Sequence, residues 1–451
     1  MESFQQVLSA ISGFLWGVPL MVALVGTGIF LTLKSKGIQF KGFLHGIALI
    51  TGKYDKKDHK GETTHFQALS TALSATIGTG NIAGVATAIA SGGPGAVVWM
   101  WITALFGMSI KYHSALLAQK FRKIGKNGVV SGGPMYFIDY GLKKKWLAVS
   151  FALFTAIASF GIGNMAQANS VAEPINAQFG VPKLVTGLIM AFLVGFVILG
   201  GIKRISNVAS KLVPAMAILY VVASLVVIFM NIDKIGEAFR LIFYYAFNNV
   251  PKSATGGFAG ATVWGVMRFG VARGLFSNEA GLGSAPIAHA SAKTDKPVRE
   301  GLVAMLGPFI DTIIICTMTA LVIITSGVWD SGVSGATLTS NAFNVAFNGW
   351  GAYVVSISIS IFAFTTLIGW SYYGDRSVEY LLGKKYVRIY QILFILIIPI
   401  GAIIKLKVVW TFSDIANALM ALPNLIAVIM LSGVVAKMTK EYFSNKDNFK
   451  V

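Results

Sequence analysis

The residues with the most chemical promise in this chain are small and uncharged. The stretch Ser74-Ala75-Thr76-Ile77-Gly78-Thr79-Gly80-Asn81-Ile82-Ala83-Gly84 sets glycines, hydroxyls and one amide inside an apolar run from about 67 to 90. That run is long enough to cross a bilayer, which takes about 20 residues. Each glycine costs a helix roughly 1 kcal/mol against alanine. In lipid the freed backbone groups must find partners, so an interrupted helix is tolerated only against protein or a polar cavity. An interruption at the midplane leaves N–H groups at the start of the second half-helix, where an anion is favoured. It also leaves carbonyls at the end of the first half, where a cation is favoured. One break therefore supplies both halves of a site for a zwitterion and its coupling ion. Taken alone, Gly80 and Gly84 read equally as a small-xxx-small packing face. A second interruption, Arg273-Gly274-Leu275-Phe276-Ser277-Asn278-Glu279-Ala280-Gly281-Leu282-Gly283, shifts the balance. Two broken spans at matching places in two halves mark a transporter site.

Other polar residues can share that site. Asn164, Gln167 and Asn169 stand in an otherwise apolar span, where interhelical hydrogen bonds are worth only ~0.6 kcal/mol on average. Gln167 is expected to face a substrate. Trp370 lies one turn beyond Thr366, so both can share a helix face, either capping a small apolar side chain or filling the bundle. Asn278 follows the second break and suits substrate or cation. Arg268, Arg273, Glu279, Asp311 and Asp414 fall inside apolar runs, with Lys111, Glu173, Asp375 and Arg376 nearer the ends. An unpaired charge at the membrane centre costs ~2.5–3.5 kcal/mol on insertion scales, so these must pair or face water. Arg273 and Glu279 flank the second break and form either a gate pair or a static structural pair. His113 and His289 are expected to be solvated at span ends. No metal-ligand spacing, nucleophile triad, phosphate-binding lysine loop or haem motif is present, so an enzyme is not expected. A channel or an amino-acid sensor using the same cavity is the alternative class.

The elements that must position these residues follow from composition. The chain has 451 residues, 55% hydrophobic and only 12% charged, with a mean hydropathy of +0.70. A soluble domain carries about 25% charged residues, so this one is built for lipid. The net charge of +19 sits in short loops between apolar runs, the positive-inside pattern with some attraction to anionic membrane lipid, and not a nucleic-acid footprint. Cys316 is the lone cysteine and falls in a span, so no intramolecular disulfide is available. Residues 8–33 lack a positive leading segment and read as a retained span, not a cleaved signal peptide.

Eleven spans are expected, at about 8–33, 67–90, 96–118, 147–178, 182–201, 209–231, 256–290, 300–325, 351–375, 388–405 and 408–436. Interfacial segments fall at about 40–50 and 234–249, and the polar stretch 326–349 is expected to cover the mouth of the bundle. Trp99 and Trp101 are interface anchors, and Arg122, Lys123, Lys126 and Lys143 to Lys145 form a basic loop. Placing the amino terminus outside puts roughly 28 Lys and Arg on the cytoplasmic side against roughly 6 outside. The carboxyl terminus is then cytoplasmic. Spans two to six (66–232) and seven to eleven (255–437) each lead with a broken span. Five is odd, so the halves have opposite topology. The expected fold is a single all-α transmembrane domain, an inverted five-plus-five repeat with one extra N-terminal span.

The motifs are familiar in this order. Residues Thr76 to Gly84 resemble the second-span motif of the alanine or glycine:cation symporters, also called sodium:alanine symporters, within the amino acid–polyamine–cation superfamily. Gly92-Gly93-Pro94-Gly95-Ala96-Val97-Val98-Trp99-Met100-Trp101 is similar to the family's signature, departing at Val98, where phenylalanine is expected. Ser131-Gly132-Gly133-Pro134-Met135-Tyr136 and Gly274 to Gly283 also match, and the resemblance covers about 8–440. It implies a LeuT-type secondary symporter of a prokaryotic plasma membrane, importing alanine, glycine or similar small neutral amino acids with sodium, or with protons instead. Relatives in the superfamily carry Gly-x-Gly-Asn at the first break. The resemblance thus implies substrate contacts at Gly78, Thr79, Gly80 and Asn81, joined by Gln167, Gly274, Phe276, Ser277, Asn278, Thr366 and Trp370. It implies a sodium site from the carbonyls of Ser74, Ile77 and Phe362 and the hydroxyls of Thr365 and Thr366. Oxygen-only ligation suits a hard cation. Hydrogen bonding of the two threonines to the preceding turn is the structural alternative.

Overall fold

The computed structural model describes residues 10–55, 59–125, 128–253, 257–404 and 406–449. Lys126, residues 8 and 9 of the first expected span, residues 255 and 256 at the start of the second expected repeat and residue 405 at the end of span ten lie outside the described residues. Among the described residues helix is found in every expected span. Seven helices are long and apolar enough to cross a membrane: Ala10–Lys34, Lys145–Phe179, Gly201–Met230, Pro297–Thr325, Gly351–Leu382, Lys384–Ile403 and Thr411–Met430. They are spans one, four, six, eight, nine, ten and eleven. Span two is a bent pair, His65–Thr76 and Gly80–Gly92, turning by 53°.

Three spans fall below that measure for visible reasons. Span three (Ala96–Lys120) carries Lys111, Tyr112 and His113 in its second half. Span five (Lys183–Ile198) has 16 residues. Span seven is split into Val263–Asn278 and the short Ala285–His289. Span six starts at Gly201, ahead of the expected 209, because the helix runs on through Lys203 and Arg204 beyond its apolar part. Interfacial helices Phe43–Ile50 and Ile235–Tyr245 lie where amphipathy puts them. The stretch 326–349 contains a helix, Gly335–Phe347, that docks on the first break, where Thr339 Oγ1 donates to the carbonyl of Ile82 at 3.1 Å.

Both breaks have local causes. The first half-helix opens on a capping box between Thr64 and Gln67 and ends at Ile77, whose backbone is extended (φ −74°, ψ 95°). In a continuous helix the N–H of Gly78 would bond the carbonyl of Ser74. It donates instead to Asn81 Oδ1 at 2.9 Å, which frees that carbonyl. At the second break Glu279 is left-handed (φ 53°), and Gly281 and Gly283 follow with φ 95° and 88°. A side chain at Gly283 would also sit 2.7 Å from the Phe151 ring, so only glycine serves there.

Span nine is the axis of the bundle. Phe362, Trp370, Tyr372 and Tyr373 are almost wholly buried along it. Outward-facing side chains of spans five and six are apolar and exposed, as with Phe192, Phe196 and Ile218. Such a continuous apolar rim suits a hydrocarbon surround.

At one end of the bundle the two broken spans are strapped together. Thr63 forms a parallel bridge with Ala292, and the N–H of Lys293 donates to the Thr63 carbonyl at 2.7 Å. Arg122 donates to four carbonyls, those of Lys60, Ala290, Ala292 and Thr294. Beneath this strap Glu300, fully buried, accepts from His65 Nδ1 on one oxygen and from His289 Nδ1 at 2.5 Å on the other. His289 and His113 are therefore buried and not solvated as expected from their place in the sequence. Glu300 draws in the first, and the second donates from Nδ1 to the Ser109 carbonyl within its own helix.

Candidate functional site

The first break, span four and span nine meet at a small closed cavity. Its walls are Ala75, Thr76, Gly78 and Gly80 from span two, Ile162 and Gln167 from span four, Phe276 and Glu279 from span seven, and Thr366 and Trp370 from span nine. The cavity is about 10 Å³, room for roughly one water molecule. Gly78 is obligatory, because a Cβ there would come within 2.6 Å of Thr366 Oγ1. Gln167 donates through Nε2 to the Ile162 carbonyl at 3.0 Å, while its buried Oε1 has no partner and lies 3.5 Å from the position of that same Cβ. Thr79 Oγ1 is likewise buried without a partner. A buried acceptor left unpaired costs ~1–3 kcal/mol, a cost a bound donor removes.

Beside the cavity lies a cluster of oxygens. Thr366 Oγ1 donates to the Phe362 carbonyl at 3.0 Å and stands 3.4 Å from the Ile77 carbonyl, and Thr365 Oγ1 donates to the Phe362 carbonyl at 2.8 Å. Both threonines thus bond the preceding turn. A hydroxyl rotates freely and keeps lone pairs for a cation while doing so. Ser74 packs on span nine one turn further along, where a Cβ on Gly369 would meet its Oγ at 2.7 Å. The oxygens brought together are the carbonyls of Ile77 and Phe362 and the hydroxyls of Thr365 and Thr366, donors of the kind a hard monovalent cation takes.

The two residues expected as a gate pair serve different partners. Glu279 accepts from Trp370 Nε1 at 2.8 Å and from Ser284 Oγ at 2.6 Å, so it holds the tryptophan that closes the cavity. Trp370 in turn rests against Gly163, where a Cβ would approach to 2.3 Å. Arg273 faces Asp414 of span eleven at 3.9 Å and lies over the Phe276 ring at 5.5 Å. That ion pair borders a second hollow of about 180 Å³ with Trp16 and Arg268, on the opposite side from the strap. The pairing differs from expectation because the left-handed turn at Glu279 sends the two side chains apart.

Five expected substrate residues do not line the cavity. Asn81, Ser277 and Asn278 build a polar cluster behind it, around Asp311 of span eight. Asn81 Nδ2 donates to Asp311 Oδ1 at 2.7 Å, and Ser277 Oγ and Thr312 Oγ1 donate to Oδ2 at 2.8 and 2.7 Å. Asn278 Nδ2 donates to Thr312 at 3.2 Å. The buried carboxylate is thereby bonded on both oxygens, and it ties the first break to the second. Gly274 packs spans seven and three, where a Cβ would meet Thr103 Oγ1 at 2.3 Å. Thr79 is not among the lining residues. Sequence reasoning missed Ala75 and Ile162, which carry no polar mark, and Thr76, whose hydroxyl bonds its own helix. It counted Asp311 among the span charges that must pair or face water, without placing it against the first break.

Comparison with known proteins gives the family of the chain. The sequence profile of the sodium:alanine symporter family matches residues 1–450. A sodium/alanine symporter, AgcS, of Methanococcus maripaludis is 47% identical over 99% of this chain and 98% of that protein. An uncharacterized transporter of Haemophilus influenzae is 49% identical over 98% of this chain and 96% of its own. A probable sodium/glutamine symporter, GlnT, of Bacillus subtilis is 38% identical over 98% and 92%. Among solved structures, MhsT in complex with L-phenylalanine aligns with a TM-score of 0.60 at 13% identity, covering 82% of this chain and 89% of that one. A Na+-coupled sialic acid symporter aligns at 0.52 and 12% identity, covering 94% and 85%. These two share the fold, a LeuT-type helical transporter. With the profile running almost end to end, the chain belongs to the sodium:alanine symporter family.

Proposed function

We propose that the protein imports alanine and similarly small neutral amino acids together with sodium, by alternating access around the first break. The observation that carries this reading is the meeting, at one break, of a closed cavity with an all-oxygen cluster, both touched by Thr366. The substrate carboxylate is received by the N–H groups of Thr79 and Gly80 at the head of the second half-helix, because Gly78 spends its N–H on Asn81. The partial positive charge there is worth up to about 2 kcal/mol when partly buried. The ammonium meets the unpaired Gln167 Oε1. The sodium ion is held by the carbonyls of Ser74, Ile77 and Phe362 and the hydroxyls of Thr365 and Thr366. Phe276 and Trp370 bound the side chain, so a methyl or a hydrogen is accepted and a bulky group is not.

The amino terminus is placed outside and the carboxyl terminus in the cytoplasm, which makes the strap at Thr63 and Ala292 the inner closure. The outer closure is the Arg273–Asp414 pair over its hollow. With both in place and little free volume between them, the structure corresponds to a contracted, closed state. Entry requires the outer pair to open, and release requires the strap to part. The test is uptake of labelled alanine and glycine in proteoliposomes. Uptake driven by an inward sodium gradient is expected. Uptake driven by a proton gradient in sodium-free buffer would replace sodium with protons, and no uptake under either gradient would refute the proposal.

A further inference from the structure

We propose that the chain carries a built site for an anionic phospholipid, between the end of span one, the short helix Ile38–Lys41 and the terminal helix Ser432–Ser444. A hollow of about 370 Å³ opens there, lined by Lys34, Lys36, Lys41 and Lys440 over a floor of Ile38, Ala436 and Phe443. The hollow is shaped by a reversal of the chain through Lys36 and Gly37, both left-handed (φ 54° and 71°). That conformation is uncommon for a residue with a side chain. No acidic residue lines the hollow, and among the described residues none of the four lysines is in an ion pair.

Four ammonium groups in one concavity repel each other until a counter-charge joins them. A phosphodiester supplies it, with two unesterified oxygens that can each take more than one N–H donor. Each lysine near a membrane surface raises affinity for an anionic lipid several-fold. Lysine stems also cover apolar surface while their heads reach the phosphate, which suits a floor of isoleucine, alanine and phenylalanine.

A second observation says that the occupant has a tail. The alternate residues of the same short helix, Gln39 and Phe40, line a furrow of about 370 Å³ walled by Phe43, Leu105, Met108, Phe309 and Ile313. Almost all of its wall is apolar, as an acyl chain requires. Gln39 is the exception: it is 2% exposed, donates to Thr32 Oγ1 at 3.0 Å, and has an Oε1 without a partner. A phosphate over the lysines and an acyl chain along the furrow describe an anionic phospholipid, and phosphatidylglycerol is the occupant that fits, because its headgroup carries one negative charge and no ammonium to oppose the lysines.

The experiment is thermal unfolding of the full-length protein in neutral detergent, titrated separately with phosphatidylglycerol, phosphatidylcholine and inorganic phosphate. The wild type is expected to gain melting temperature with phosphatidylglycerol and little with the other two. The quadruple variant Lys34→Gln, Lys36→Gln, Lys41→Gln and Lys440→Gln should need at least about tenfold more lipid for the same gain. A control with the same loss of charge, Lys143→Gln, Lys144→Gln, Lys384→Gln and Lys385→Gln, should respond as the wild type does. The single variants Lys36→Gln and Lys440→Gln should each shift the titration several-fold, so a quadruple variant that fails to fold leaves the test standing. Equal stabilisation by phosphatidylcholine overturns the site. So does an equal loss in the control, which reduces the effect to diffuse charge. Stabilisation by inorganic phosphate alone makes it a free-anion pocket and overturns the lipid. Unfolding reports binding without transport, so this outcome is separate from that of the substrate site.

Discussion

Replacing Thr366 by valine removes one oxygen and keeps the shape of the side chain. That oxygen lies 3.0 Å from the Phe362 carbonyl and 3.4 Å from the Ile77 carbonyl, and it also lines the cavity. A hydrogen bond or ligand contact to a charged group is worth about 1.5–3 kcal/mol, so the apparent sodium affinity should fall between about tenfold and about 150-fold. The valine methyl must in addition sit against two carbonyls with nothing to offer them, which places the loss toward the upper end. Thr366→Ser keeps the oxygen and should stay within a few-fold of the wild type. The assay is initial uptake of labelled alanine in proteoliposomes across a series of external sodium concentrations, with choline replacing sodium. Because Thr366 touches both the ion cluster and the substrate cavity, the alanine KM at fixed low sodium should rise as well, and saturating sodium should recover most of it. A Thr366→Val variant whose half-saturating sodium lies within twofold of the wild type would falsify the ligand assignment. A serine variant as impaired as the valine one would show that packing, not the hydroxyl, is what matters.

Further outcomes follow from the same geometry. Trp370→Ala should let unlabelled leucine or methionine compete with alanine uptake and should weaken alanine itself; an unchanged competition profile would remove Trp370 from the pocket wall. Trp370→Phe keeps bulk but loses the Nε1 donor to Glu279, so competition by large amino acids should stay weak while alanine uptake drops about threefold to about tenfold, the worth of one hydrogen bond. Glu300→Ala leaves two buried histidines without their shared acceptor, a change on the order of 3–5 kcal/mol against the closed inner end. In a Cys316→Ser background, a cysteine introduced at Thr76 should then react faster with a reagent added on the cytoplasmic side, and unchanged reactivity would separate the triad from closure. His45 of the interfacial helix is held well below its usual range, at about 4, by burial and by the nearby Arg299. The folded state then binds fewer protons than the unfolded chain between about pH 6.5 and 4, so stability should fall as pH drops through that window. His45→Gln should flatten that part of the melting-temperature profile, and a profile with unaltered slope would refute it.

The positions of both breaks were legible because glycine and asparagine cluster there against an apolar background, where a helix has no other use for them. The oxygen cluster was legible only through resemblance, since Thr365 and Thr366 alone read equally as residues bonded to their own helix, and in the structure they do make those bonds. Residues such as Ala75 and Ile162 line the cavity by virtue of curvature and proximity, and nothing in an alanine or isoleucine announces that. Partners distant in sequence were hidden for a related reason. Arg273 and Glu279 are six residues apart and looked like a pair, yet the left-handed turn at Glu279 leaves one to Asp414 and the other to Trp370. His289 looked solvated until Glu300, from the next span, came to lie against it.

On the proposed orientation, the balance between the two closures sets the direction in which the empty carrier waits. The inner end is fastened by a backbone bridge, by one guanidinium spread over four carbonyls and by a carboxylate shared between two imidazoles. At the other end the Arg273–Asp414 pair, at 3.9 Å, stands beside the bond from Trp16 Nε1 to the Asp414 carbonyl at 2.8 Å. If the inner fastening exceeds the outer by even about 2.8 kcal/mol, about 99 of every 100 unloaded molecules face outward. Such a molecule behaves as a ratchet with a loaded spring on one side. Sodium and substrate binding must supply the work of undoing the strap, and re-forming the strap drives the empty carrier back. The slow step of each cycle then falls on inward opening, and amino acid accumulated inside meets few carriers open to receive it, so backflow is low even when the gradient weakens. Outward-side labelling of an engineered cysteine in sodium-free membranes measures that resting population, and an even split between the two faces would show that the two ends are balanced after all.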